Sequence, residues 1–155
     1  MQFDELKPGT VITSARRKVT AREIIDFGMR YDPQWFHVDP QRARESRWGG
    51  LIASGWMTCS IAMQLAVSSV LAGSESIGSP GVEQIKWPSP LRPDEEVQLQ
   101  MEILENRVSR SKGIGVVRWR WCLTTGAGGV VLDAIGTSLF QLTARRKLTG
   151  EPRAV

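Results

Sequence analysis

The pattern of apolar and polar residues changes character along this chain, from helical spacing in the first half to two-residue alternation in the second. The clearest alternation is Glu96 to Leu104, where Val97, Leu99, Met101 and Ile103 are separated by polar partners. A period of two marks a strand with one buried face. Val82 to Trp87, Gly113 to Thr124 and Val130 to Ala144 read as further strands, with Gly126 to Gly129 as a hairpin turn. The three long strands from Glu96 onward predict an antiparallel meander.

Upstream, Val11 to Val19 reads as a first strand after the Lys7-Pro8-Gly9 turn. Thr20-Ala21-Arg22-Glu23 is a capping box, which predicts a helix to about Met29. Tyr31 to Asp39 is expected to be irregular, because Pro33 and Pro40 each push the preceding residue out of the helical region. Asp39-Pro40 supplies the cap and first position of a short helix through Arg44. Trp48-Gly49-Gly50 and Gly73 to Gly81 read as loops. The longest helical pattern runs from Ser54 to Leu71. Its apolar residues, among them Trp56, Met57, Ile61, Met63 and Leu65, spread around much of the circumference and predict a helix buried mid-domain. The fold class is α+β: a curved antiparallel sheet wrapped around one long central helix, the hot-dog arrangement.

The 155 residues suit one domain, taken as residues 1–145, followed by a basic, flexible tail at 146–155. At 41% hydrophobic and 23% charged the chain has a globular composition. A domain of this size buries roughly 70% of its unfolded surface and needs no disulfide or metal to hold it. Cys59 and Cys122 lie in apolar runs without metal-ligand spacing, so small buried thiols in a reducing compartment are expected. The acidic start, Met1-Gln2-Phe3-Asp4-Glu5, is no signal peptide. Ile61 to Leu71, interrupted by Gln64 and two serines, falls far short of the roughly 20 residues of a bilayer span. A cytoplasmic location is expected, with no membrane partner. The net charge of +4 suits a polyanion or a nucleotide-bearing ligand, although part of it lies in Ala144-Arg145-Arg146-Lys147.

His37 is the only histidine, which excludes a multi-histidine metal site, and neither cysteine is placed to pair with it. Asp32 precedes it by five residues in a loop bent by Pro33. Two readings fit this spacing. One is a polar loop histidine bonded to backbone. The other is a catalytic pair holding one water, the carboxylate drawing off a proton and the imidazolium delivering one.

The segment Tyr31-Asp32-Pro33-Gln34-Trp35-Phe36-His37-Val38-Asp39-Pro40 resembles the hydratase motif of the MaoC-like, or (R)-specific enoyl-CoA hydratase, family. Gly49-Gly50-Leu51-Ile52-Ala53-Ser54-Gly55 is similar to that family's approach to the central helix, and Trp87-Pro88-Ser89-Pro90-Leu91-Arg92-Pro93 to its proline-rich strand edge. The resemblance spans Leu6 to about Leu142. It implies reversible hydration of an unsaturated acyl-CoA thioester in fatty-acid metabolism, with Asp32 and His37 as the catalytic pair. It also implies that the Gly55 N–H, at a helix start, polarises the thioester carbonyl, a role suited to a residue without Cβ. Ser54, Gln34 and Trp35 are the expected substrate-side neighbours; Ser54 also fits an N-cap. No metal or redox cofactor is implied.

The chain departs from the family signature at three places. Tyr31 stands where the signature has Gly, and Gln34 and Trp35 stand where it has Asn and Pro. Met63 stands where the family's hydratases carry a helix serine. Trp35 narrows the acyl pocket in this reading, while Trp48 and Trp56 fit either that pocket or the core. A hot-dog thioesterase and a non-catalytic acyl-CoA-binding subunit are the rival readings. By fold analogy a homodimer or higher homo-oligomer is expected.

Arg118-Trp119-Arg120-Trp121 has the interleaving of a single-stranded nucleic-acid site. In a strand, however, both tryptophans face one way and both arginines the other, so a core face and a solvent face are expected, with no nucleic-acid partner. Arg118, Arg120 and Lys86 are candidates for the coenzyme A phosphates.

Overall fold

The computed structural model describes residues 1–109 and 113–142. Strands β1 (Val11–Thr13) and β2 (Arg17–Lys18) both pair with β4 (Glu96–Ser109). The single expected strand is thus two, and Ser14 explains the break. Its buried side chain accepts the Leu99 N–H at 3.0 Å, replacing a backbone carbonyl in the ladder. The sheet continues through β5 (Ile114–Thr125) and β6 (Val130–Gln141) to β3 (Ser76–Lys86), in the order β1-β4-β5-β6-β3, with every pairing antiparallel. The predicted meander is β4-β5-β6. The end of the last expected strand, at Ala144, and the basic tail lie outside the described residues.

Strand β3 begins within the segment expected to be a Gly- and Ser-rich loop. Register shifts at Ser76/Gly78, Gly78/Gly81 and Val82/Gln84 let this irregular sequence follow β6, leaving no alternation to read.

The alternation in β4 has the expected consequence: Val97, Leu99, Met101 and Ile103 are buried. Against them lies α4 (Gly55–Ala66), continued by a wider turn at Val67–Leu71. Its buried face carries Met57, Thr58, Ile61, Ala62, Leu65 and Ala66. The helix is not enclosed on all sides, as its composition suggested, since Trp56 is 61% and Met63 47% exposed. A sheet covers only one face of a helix, and among the described residues Trp56 and Met63 on the other face stay largely uncovered. The sheet curled about this helix is the expected hot-dog fold.

After a 3-10 turn at Phe3–Glu5, three α-helices precede α4: α1 (Ala21–Tyr31), α2 (Trp35–Val38) and α3 (Pro40–Arg44). The capping box forms as read, with Glu23 N–H donating to Thr20 Oγ1 and Thr20 N–H to the Glu23 carboxylate. Asp39 caps α3 through the Arg42 N–H. The stretch expected to be irregular contains α2, because Pro33 constrains only the residue before it. Cys59 and Cys122 are free and only half-buried. Among the described residues, no helix is long and apolar enough to cross a membrane.

Candidate active site

Asp32 forms the C-cap of α1, its N–H donating to the Gly28 carbonyl at 2.9 Å. Gly28 lets α1 approach the next turn closely: a Cβ there would meet Val38 Cγ1 at 2.8 Å and His37 Cβ at 3.1 Å. The single turn of α2 then swings His37 inward, leaving the residue 4% exposed. Its Nδ1 lies 2.7 Å from the Ile52 carbonyl oxygen, which can only accept, so Nδ1 carries the proton of the neutral ring. The Ile52 N–H in turn donates to the Phe36 carbonyl. His37 is thus bonded to backbone, as one of the two readings had it, and its Nε2 also lies 3.3 Å from Asp32 Oδ2.

The carboxylate of Asp32 takes two further donors. Gln34 Nε2 donates to Oδ1 at 2.8 Å and Ser54 Oγ to Oδ2 at 2.7 Å. Burial pushes the carboxyl up, but the hydrogen bonds from Ser54 and Gln34, with His37 alongside, outweigh it and hold Asp32 below its ordinary value. Ser54 is also the N-cap of α4, accepting the Trp56 N–H at 3.2 Å. The N–H of Gly55, first residue of that helix, has no acceptor among the described residues. It stands at the positive end of the helix dipole.

Asp32, Gln34, His37, Ser54 and Gly55 all line one cavity of about 460 Å³. Its apolar walls include Phe36, Trp48, Trp87, Leu91 and Val131. Trp35 is not among the lining residues: it stacks under the Arg42 guanidinium, 4.8 Å from its ring, and against Phe36. Two residues along a helix are about 200° apart, so the turn that aims His37 inward aims Trp35 elsewhere. Phe36 and Trp48 stand in the wall instead. Met63, at the position of the family's helix serine, is also absent from the lining, and the serine that reaches Asp32 is Ser54. Thr58 and Trp87 were not among the expected site residues, although Trp87 opens the proline-rich segment singled out in the sequence.

Away from the cavity, Trp119 is buried and packs edge-on against Trp121. Arg118 forks onto Glu83 and Arg120 onto Asp133, with contacts of 2.8 to 3.0 Å. The tryptophans are core residues, and both guanidiniums are committed to carboxylates.

An antiparallel sheet curled round one helix, with a carboxylate–imidazole pair at the head of that helix, defines a hot-dog protein with its candidate site at the helix N-terminus. The family described as "MaoC like domain" matches residues 5–120, and the chain belongs to that family. The MaoC-like dehydratase of Rhodospirillum rubrum is 35% identical and superposes with a TM-score of 0.82, covering 90% of this chain and 97% of that one. The protein YdeM of Bacillus subtilis is 30% identical over 112 residues, 72% of this chain and 79% of its own length. The R-hydratase PhaJ1 of Pseudomonas aeruginosa shares the fold, with a TM-score of 0.73 at 17% identity, over 91% of this chain and 86% of that one.

Proposed function

We propose that this protein adds water reversibly across the double bond of an unsaturated acyl-CoA thioester. One observation carries the reading: Asp32 Oδ2 and His37 Nε2 face each other at 3.3 Å in a cavity that also presents the uncommitted N–H of Gly55. In this reading a water in the cavity is hydrogen-bonded to both Asp32 Oδ2 and His37 Nε2. As its oxygen bonds to the β-carbon, the pair takes a proton from it at the ionised carboxylate or the bare Nε2, and passes that same proton to the α-carbon. Electron density moves meanwhile onto the thioester oxygen, where the Gly55 N–H and the helix dipole meet it. Ile52 holds the imidazole in one tautomer, and Gln34 and Ser54 hold the carboxylate. The chemistry requires no metal or redox cofactor.

A second copy of the chain belongs to this reading. Among the described residues no strand pairs with the outer edge of β3, and Ile77 and Val82 on that strand are 52% and 59% exposed, as is much of Trp56 and Met63 on α4. An open strand edge beside exposed apolar groups fits a homodimer formed at β3. Acyl-CoA thioesters are made and used inside the cell, so the reading carries a cytoplasmic location and a role in fatty-acid metabolism.

The test is to incubate the protein with trans-2-enoyl-CoA substrates of increasing chain length, following loss of the conjugated double bond and release of thiol. Loss of the double bond that disappears in Asp32→Asn and His37→Gln supports hydration. Thiol release without hydration makes the protein a thioesterase, and no turnover with any substrate leaves it a binding subunit.

A further inference from the structure

We propose that Ser54 is a positioning residue that ties Asp32 to the head of α4, so that the carboxylate and the Gly55 donor are set in one rigid frame. Its consequence for catalysis rests on the hydratase reading above. A hydroxyl has one proton to give and lone pairs to accept with. The Trp56 N–H can only donate, and the ionised Asp32 can only accept. The chain of bonds therefore runs in one direction, from Trp56 N–H through Ser54 Oγ to Asp32 Oδ2, over 3.2 and 2.7 Å.

Ser54 is 1% exposed, so little room exists for solvent to replace its hydroxyl. The first turn of α4 thus divides its uncommitted donors. Trp56 N–H acts on Asp32 through the serine, and the adjacent Gly55 N–H remains for the thioester oxygen. Bonds in such a chain polarise one another, so the positive end of the helix reaches the carboxylate through the hydroxyl. The titratable group facing Asp32 is His37 of α2; its partners from the intervening loop and the head of α4, Gln34 and Ser54, are uncharged. The depressed Asp32 carboxyl agrees with this arrangement.

A serine acting only as a helix cap would affect folding and leave the protonation of Asp32 alone. The discriminating experiment is a carboxyl-carbon NMR titration of the full chain carrying Ser54→Ala, Ser54→Gly or Ser54→Thr, with Asp32→Asn identifying the resonance. Glycine is itself an acceptable N-cap, which keeps a folded variant available should alanine not fold. The expected result is that Asp32 titrates at higher pH in both hydroxyl-free variants and returns toward wild type with threonine. The acid limb of kcat/KM should move up with it, while kcat at the optimum falls roughly ten- to a hundredfold and KM changes little. An Asp32 titration unchanged in folded Ser54→Ala or Ser54→Gly overturns the proposal. This readout needs no turnover, so it separates failure of the serine's role from failure of the hydratase reading.

Discussion

The indole of Trp87 lies against Gly55 so closely that a Cβ at residue 55 would come within 2.6 to 2.9 Å of three of its ring atoms. Trp56 packs edge-on against the same indole at 5.7 Å. Gly55→Ala must therefore displace either the helix start or the indole. The expected outcome is a fall in kcat of about 10²- to 10³-fold, the usual loss when such a donor is misplaced. Trp87→Ala in the same chain should recover part of it. Steady-state kinetics on the two variants check this, and a fully active Gly55→Ala would show that the close approach is dispensable.

Asp32 and His37 should behave as a unit. Asp32→Asn preserves shape while removing the base and one of the two oxygens that accept from Gln34 and Ser54, and His37→Gln removes the imidazole ring. Each is expected to lower kcat by about 10²- to 10⁴-fold. The double variant should be little worse than the weaker single one, because groups sharing one proton transfer are not additive. Additive losses measured in the three proteins would assign them separate roles.

The pH dependence of stability follows from the depressed Asp32 carboxyl. A group whose value is lower folded than unfolded stabilises the native state above its unfolded value. That contribution is lost as pH falls through the folded value. Stability should therefore decline below the ordinary aspartate value of about 3.9. Asp133, held down by the Arg120 fork, contributes to the same acid slope. The share of Asp32 is the difference between wild type and Asp32→Asn. Urea midpoints at neutral pH and below pH 4 measure it, and equal slopes in the two proteins would remove Asp32 from the account.

What the sequence makes legible in this chain is what depends on near neighbours. The Thr20 capping box, the Asp39-Pro40 helix start and the alternation of β4 each involve residues within a few positions, and each forms as read. The Asp32–His37 loop is legible because both residues sit in one short segment. Ser54 lies 22 residues from Asp32, and no local pattern signals that a helix cap also bonds a carboxylate. Trp87 reaches Gly55 only because the 87–91 segment and the head of α4 are brought together, the Ala53 N–H donating to the Leu91 carbonyl at 2.8 Å. Strand β3 is legible from Val82 onward, but its first half is hidden for a different reason: bulges erase the alternation by which a strand is recognised.

Charging the open edge of β3 tests the homodimer. Ile77→Lys with Val82→Lys should convert a dimer to a monomer in light scattering at micromolar concentration, since lysines on an edge strand disfavour further pairing. Wild-type protein that is already monomeric under those conditions would remove the dimer from the proposed function.

Trp48, Trp56 and Trp87 all line the cavity, while Trp119 is 2% exposed in the core. Half of the chain's six tryptophans therefore change surroundings when the cavity fills, and the buried one serves as a steady background. The protein carries its own optical reporter, and intrinsic emission should follow thioester binding without a label, even in variants too slow to turn over.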